Sequence, residues 1–322
     1  MQKRTIQGIG KETSVIGFGA WGIGGATPGG TSYGNITELD ALACIHAAYC
    51  AGLRFFDTSP AYGYGKSEDR LGKALAGRRD NVVIATKGGL YDYSVGADFS
   101  IAALDSGLDA SLKRLDTAYV DIFQLHNPPT NLAQEVNLCA FLDTIIADGR
   151  ARTVGISVKS PSDAYALLNA YPFTAVQLNL NMLDVRALTS GLLDLCAERG
   201  ISVLARTPLC FGFLSLAIDE NTKFEASDHR AHWPREQLAM WALGAREAQA
   251  IATGHDLEDA SAAARALRFC LLHPAVKTVL TGPMTTAEAE ENAAAGSMPS
   301  LGAACTNDML TLNAQSSFFV KS

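Results

Sequence analysis

Three observations predict an α/β fold, a closed (β/α)8 barrel of the TIM type. Eight short apolar runs alternate with helix-period segments along the whole chain. Most of these runs are almost continuously apolar, as parallel strands buried on both faces must be. Their C-terminal ends carry polar residues, and in a barrel those ends meet at one mouth.

The elements follow in order. Lys3–Gln7 and Thr13–Ile16, flanking Gly8-Ile9-Gly10, read as an N-terminal β-hairpin ahead of the barrel. Barrel strands are expected near Val15–Phe18, Leu53–Phe56, Asn81–Thr86, Ala118–Leu125, Thr153–Ile156, Thr174–Leu178, Ile201–Ala205 and Val276–Leu280. Leu104, Leu108, Leu112 and Leu115 mark a helix before the fourth strand, and Leu138, Phe141, Leu142, Ile145 and Ile146 another before the fifth. The long connection after strand 7, Thr207–Pro234, has the length of a lid or binding loop. Helical patterns at Arg235–Thr253 and Leu257–His273 follow it, and the tail after Pro299 reads as a C-terminal helix. A doubly wound sheet is the alternative, but its glycine fingerprint should lead straight into a helix. Gly17, Gly19, Gly22, Gly24 and Gly25 do not, because the next helix signal comes only near Thr37. With no repeat or linker visible, residues 1–322 are expected to form a single domain.

Composition narrows the function. The 322 residues are 48% hydrophobic, enough for a large core, and 26 basic against 33 acidic residues give a net charge of −7. No basic field exists to attract nucleic acid or an anionic membrane. The apolar stretches are strand-sized and none resembles a signal segment, so a cytoplasmic protein is expected. Seven cysteines without a C-x-x-C pair imply a reducing compartment and no metal centre.

The strand ends carry the chemistry. Phe55-Phe56 ends at Asp57, Ile84-Ala85-Thr86 at Lys87, and Phe123-Gln124-Leu125 at His126; later strands end at Ser157, Gln177-Leu178-Asn179, Arg206 and Thr281-Gly282. Each has an ordinary explanation alone: a turn cap, a solvated lysine, a structural histidine. Charge at the same end of three successive strands is harder to dismiss. Tyr62, five residues past Asp57, lies over the same mouth. A neighbouring lysine should lower its pKa and make proton donation feasible near neutrality, with the aspartate keeping that lysine charged. A histidine N–H could share the carbonyl oxygen with the tyrosine.

Asp57, Tyr62, Lys87 and His126, in that order and in those strand contexts, resemble the Asp-Tyr-Lys-His tetrad of the aldo-keto reductase superfamily. The leading hairpin, Phe18-Gly19-Ala20-Trp21-Gly22, Gly155-Ile156-Ser157 and Glu291-Asn292 extend the likeness. The resemblance implies an NADPH- or NADH-dependent reduction of an aldehyde or ketone to the alcohol, with Tyr62 as proton donor. It is similar to bacterial members of sugar or secondary metabolism. Around the cofactor it implies Trp21, Gly22, Asp57, Ser157, Gln177 and Arg206. The segment Thr207, Pro208, Leu209, Phe211, Gly212 and Leu214 would offer backbone donors to the pyrophosphate. Gly282, Met284, Glu288, Glu291 and Asn292 would surround the adenosine. For the small-molecule carbonyl substrate it implies Trp21, Tyr62, Tyr91, His126, Asn127 and Trp233, with Tyr33, Tyr64, Tyr93 and Phe211 as further walls and Asp228, His229, Arg230 and His232 as polar handles.

Two departures stand out. Val158 replaces the asparagine that should follow Ser157. Arg206 stands where many members stack an aromatic ring on the nicotinamide, so it either stacks or turns towards a carboxylate or phosphate. Cofactor preference stays open. Glu288 repels a 2′-phosphate and favours NADH, against a family habit of NADPH, and Lys223 on the lid could reverse that. Two other functions remain: an aldolase forming a Schiff base on Lys87, and a cofactor-binding regulatory subunit with little turnover. Monomer and homo-oligomer are equally compatible with the sequence.

Overall fold

The computed structural model describes residues 1–28, 31–132, 135–255, 257 and 259–319. A hairpin of β1 (Lys3–Ile6) and β2 (Lys11–Ser14) opens the chain. Then come β3 (Ile16–Gly19), α1 (Glu38–Cys50), β4 (Phe55–Asp57), α2 (Lys66–Ala74) and β5 (Val83–Gly88). A small hairpin, β6 (Leu90–Asp92) with β7 (Gly96–Ala97), precedes α3 (Ile101–Arg114) and β8 (Val120–His126). The chain continues through α4 (Val136–Ala147), β9 (Ala151–Ser157), α5 (Pro161–Ala170), β10 (Ala175–Asn179), α6 (Arg186–Thr189), α7 (Leu192–Glu198) and β11 (Ser202–Arg206). It ends with α8 (Arg235–Thr253), α9 (Ala262–Cys270), β12 (Val276–Thr281), α10 (Thr286–Ala295) and α11 (Ala303–Gln315).

Strands β3, β4, β5, β8, β9, β10, β11 and β12 close an all-parallel barrel, sealed where Val279, Leu280 and Thr281 pair with Ile16, Gly17 and Phe18. The expected (β/α)8 architecture is present, with the N-terminal hairpin, the long loop after the seventh barrel strand and the C-terminal helix. The barrel interior is filled by Phe55, Val83, Ala85, Ile122, Ala175, Leu204 and Leu280, and Ile6 with Ile9 from the N-terminal hairpin packs against them. That plugs one end. The larger apolar cluster lies outside the strands, where Leu104, Leu108 and Leu112 of α3 and Leu138, Phe141, Leu142 and Ile145 of α4 pack.

Several boundaries differ from the sequence reading. Strands run on to their polar ends, which an apolar window leaves out: β5 spans Val83–Gly88, not Asn81–Thr86, and Asn81 belongs to a 3-10 turn. Ile16 starts the barrel instead of ending the hairpin, and Gln7 leaves β1 to give its amide N–H to Ser202 Oγ (2.8 Å). Helix α9 starts at Ala262, later than the Leu257 expected. Ser261 Oγ accepts from Ala264 N there and sets the helix start, while residue 258 of that pattern lies outside the described residues. The β6–β7 hairpin carries no apolar run and was not expected.

Candidate active site

Strands β4, β5 and β8 deliver Asp57, Lys87 and His126 to the same mouth of the barrel. Lys87 is buried, and its ammonium makes three hydrogen bonds: to Asp57 Oδ2 (2.6 Å), to the Thr58 carbonyl (2.9 Å) and to Tyr62 Oη (3.2 Å). All three of its protons are used, as a buried ammonium requires. Tyr62 is held there by close backbone contact. Gly63 has φ +62°, and a Cβ on it would collide with the Gly24 carbonyl. The glycine-rich loop after β3 is therefore what presses the Tyr62 loop onto Lys87.

The expectation for the Tyr62 pKa is corrected. Burial is the largest influence and pushes the phenol upward; Asp57 pushes it further, and only Arg206 opposes. The positive charge of Lys87 is already neutralised by Asp57. Tyr62 is thus a protonated phenol across the neutral range, a donor that accepts from Lys87 while its own proton points elsewhere. Lys87 itself is lowered by burial, with Asp57 acting in the opposite direction.

His126 is kept neutral. Burial and then the charges of Lys87, Arg206 and Lys159 hold it well below the usual histidine range. Its Nδ1 lies 3.3 Å from Ser59 Oγ, which accepts from Ala61 N. Ser59 can give its hydroxyl proton to Nδ1, leaving Nε2 to carry the ring N–H. The Tyr62 and His126 rings meet edge to face, centroids 6.1 Å apart. After His126 the chain turns through Asn127 at φ 54°, a left-handed conformation Asn tolerates, fixed by its N–H to the Ser157 carbonyl (2.8 Å).

One cleft of 1360 Å³ opens from this mouth. It is lined at the tetrad end by Trp21, Tyr33, Asp57, Tyr62, Tyr93, His126, Asn127, Ser157, Gln177 and Arg206, then by Thr207, Pro208, Leu209, Phe211 and Gly212, and at the far end by Gly282, Met284, Glu288, Glu291 and Asn292. Thr207 has φ 55°, rare for a β-branched residue, and Asn181 Nδ2 holds its carbonyl at 3.0 Å. The loops after β3 and β11 join beside the cleft: Tyr33 bridges to Asp228, and His229 N donates to the Ser32 carbonyl (2.9 Å).

Several expected positions are not where the sequence put them. Tyr91 turns away to α3, giving its hydroxyl proton to the Ala103 carbonyl (2.7 Å), while its neighbour Tyr93 faces the cleft. Trp233 packs on Phe211, His229 and Trp241 outside the cleft lining. Gly22 is buried against Met284, and Leu214 is buried with its N–H on the Leu209 carbonyl. The N–H of Gly212 is spent on the same carbonyl, so neither amide is open to a phosphate. Exposed Tyr64 and Lys223 are not among the cleft-lining residues. On the lid, Asp228 receives Arg230 Nε (3.0 Å) and Nη2 (2.6 Å), while His232 lies by the Ala226 carbonyl; these polar groups brace the loop.

Other participants had not been singled out. Asp57 Oδ1 accepts from Gln124 Nε2 (2.9 Å) and Gln177 Nε2 (2.7 Å), so both carboxylate oxygens are occupied. Gln177 is therefore a brace for Asp57, and Ser157 Oγ reaches its Oε1 at 3.4 Å. Gln124 was legible only as a polar residue inside a buried strand, the pattern that should have marked it. Gln124→Leu leaves a carboxylate oxygen short of a donor and is expected to cost about 1–3 kcal/mol of stability. Urea denaturation measures this; a loss under about 0.5 kcal/mol would mean that Gln177 alone suffices. Asn35, Ile36, Thr37 and Asp40 also line the far end, where Thr37 caps α1.

Comparison with known proteins agrees with the geometry. Residues 15–304 match the Aldo/keto reductase family. The aldo-keto reductase YhdN of Bacillus subtilis is 33% identical over 242 residues, 74% of this chain and 71% of that protein. The L-galactose dehydrogenase of Arabidopsis thaliana is 30% identical over 305 residues, 92% of this chain and 88% of that one. Among solved structures, the glycerol dehydrogenase AKR11B4 of Gluconobacter oxydans superposes with a TM-score of 0.79 at 25% identity, covering 97% of this chain and 95% of its own. The chain belongs to the aldo/keto reductase family, and it is an oxidoreductase acting on CH–OH groups with a nicotinamide cofactor.

Proposed function

We propose that the protein reduces an aldehyde or ketone to its alcohol, with Tyr62 as the proton donor and Lys87, Asp57 and His126 supporting it. The observation that carries this reading is the chain of contacts Asp57–Lys87–Tyr62 opening on the cleft. Tyr62 gives its proton to the carbonyl oxygen as negative charge builds there. Lys87, already bonded to Tyr62 Oη, then stabilises the phenolate that forms. Neutral His126 donates from Nε2 to the same oxygen and fixes which carbonyl face is presented.

The cleft suits a dinucleotide together with a small substrate. Trp21 Nε1, Arg206 Nε and Asn127 Oδ1 belong to residues that line it, and each is buried with no hydrogen-bond partner. Trp21, Ser157 and Gln177 would hold the nicotinamide side, and the Thr207–Phe211 segment would lie towards the pyrophosphate; Met284, Glu288, Glu291 and Asn292 would hold the adenosine. When bound, a reduced nicotinamide supplies the hydride. A Schiff-base role for Lys87 is disfavoured because its amine is held by Asp57, the Thr58 carbonyl and Tyr62 and is not free to attack a carbonyl. Steady-state turnover of a panel of aldehydes and sugars with NADPH and NADH tests the reading. Turnover is expected, with no borohydride-trapped adduct on Lys87; an adduct without cofactor oxidation would overturn it.

Cofactor choice rests on Glu288. Its carboxylate is exposed, lines the far end and accepts from Met284 N (2.7 Å), while its own N–H goes to Thr285 Oγ1 (3.2 Å). The acid therefore caps α10 and would put negative charge beside the ribose of a bound dinucleotide. Glu288→Arg is expected to raise the NADPH-to-NADH ratio of kcat/KM by about tenfold at low salt, and by less at high salt. An unchanged ratio would place the 2′-phosphate elsewhere.

A further inference from the structure

Of four cations at or beside the cleft, two are paired. Lys87 is locked on Asp57, and Arg230 on Asp228. Two are not. Arg206 lines the tetrad end, and its one side-chain hydrogen bond among the described residues runs from Nη2 to the Val158 carbonyl (3.1 Å). Its Nε is buried without a partner. Lys159, two residues after the end of β9, lines the same end, is exposed, and makes no ion pair among the described residues. Asp57, which also lines the cleft, has both oxygens occupied by Lys87, Gln124 and Gln177.

This placement is costly without a ligand. A largely buried guanidinium whose Nε has no partner loses hydration and gains little in return. Both cations act on the ring of His126, so they sit within electrostatic reach of the reacting oxygen. Around Arg206 stand Tyr62 and Tyr93, cleft walls that are themselves neutral phenols, and the carboxylates Asp57 and Asp184, which are already engaged by Lys87 and Arg186. The far end of the cleft is the opposite in charge, with Asp40, Glu288 and Glu291. An anion entering the cleft is therefore drawn to the tetrad end.

We propose that Arg206 and Lys159 form an anion subsite beside Tyr62 and His126, and that the substrate is a hydroxy or oxo compound bearing a carboxylate. A guanidinium edge matches a planar carboxylate with two parallel hydrogen bonds, and Lys159 adds a mobile point charge at the entrance. The subsite orients the carbonyl by its far end, so that selectivity comes from the substrate's charge as well as from the aromatic walls. This assignment rests on the carbonyl-reducing reading above.

The test uses two aldehydes of nearly the same shape, 4-carboxybenzaldehyde and 4-formylbenzamide, with wild type, Arg206→Gln and Lys159→Gln. Wild type is expected to favour the acid by about tenfold or more in kcat/KM, chiefly through KM. Arg206→Gln should bring the acid-to-amide ratio close to one, and Lys159→Gln should lower it partly and in a salt-dependent way. Binding is read separately. Benzoate should quench the intrinsic tryptophan fluorescence at lower concentration than benzamide, and Arg206→Gln should remove that difference. Turnover of both aldehydes without preference, or a preference that survives both substitutions, overturns the subsite and leaves the oxidoreductase reading intact. A loss of NADPH affinity in Arg206→Gln with the ratio unchanged overturns it too, and gives the guanidinium to the cofactor. If neither aldehyde turns over, the substrate reading fails, and the benzoate–benzamide comparison still decides the subsite.

Discussion

Tyr62→Phe is expected to lower kcat for carbonyl reduction by about a hundredfold or more, the usual contribution of a positioned general acid. The ring keeps its place under the Gly24 loop, so cofactor affinity should stay within about threefold. The effect belongs to kcat because the phenol acts on charge that builds only as the carbonyl is reduced. The pH dependence follows from the direction of the Tyr62 shift. A phenol pushed up by burial keeps its proton throughout the neutral and mildly alkaline range, so reduction should be flat there. Alcohol oxidation needs the deprotonated form and should speed up as pH rises. His126 should add no limb near its ordinary pKa, because it is already neutral in the resting protein. Steady-state rates in both directions across pH check all three points. Reduction that falls steeply just above neutrality would restore the lowered tyrosine pKa read from the sequence.

Lys87→Met should disable the enzyme and weaken the fold together. The substitution removes the donor to Asp57 Oδ2 and leaves a buried carboxylate with only its two glutamine bonds. Breaking one side of a buried pair typically costs about 3–5 kcal/mol. The kcat loss should match that of Tyr62→Phe, and raising the pH should not restore it, since Lys87 supplies orientation as well as charge. The double change Asp57→Asn with Lys87→Met removes both charges. It should recover most of the lost stability and none of the activity. Denaturant titrations with single-turnover rates separate these two effects. Full activity of Lys87→Met at high pH would reduce the lysine to a tuning charge.

The barrel was legible because its physics is local. Near-continuous apolar runs such as Val82–Ala85 fit strands buried on both faces, and leucines at helical spacing such as Leu104, Leu108 and Leu112 pack one side of a helix. The tetrad was legible for the same reason: Asp57, Lys87 and His126 stand where apolar runs stop. What escaped depends on side-chain direction. Tyr91 lies within β6 and Tyr93 in the turn just after it, and only the fold shows that the first packs on α3 and the second walls the cleft. Trp233 looked like a pocket wall because it is aromatic and on the lid, yet the lid folds it into its own cluster with Phe211 and Trp241. The amides of Gly212 and Leu214 were assigned by position, and a tight turn onto Leu209 consumed them. The Tyr62 pKa was misjudged from a charge count. Asp57 was weighed only as keeping Lys87 charged, whereas its own negative charge offsets that of Lys87 and burial decides the sign.

Labelled cofactor tests the central claim most directly. The protein is mixed in one turnover with NADPH or NADH carrying deuterium at the transferring position of C4, together with an accepted aldehyde. Mass spectrometry then locates the label. The account predicts deuterium on the former carbonyl carbon of the alcohol, formed rapidly by wild type and about a hundredfold or more slowly by Tyr62→Phe at equal cofactor occupancy. Transfer at the same rate in both proteins, or alcohol formed without the label, would contradict it.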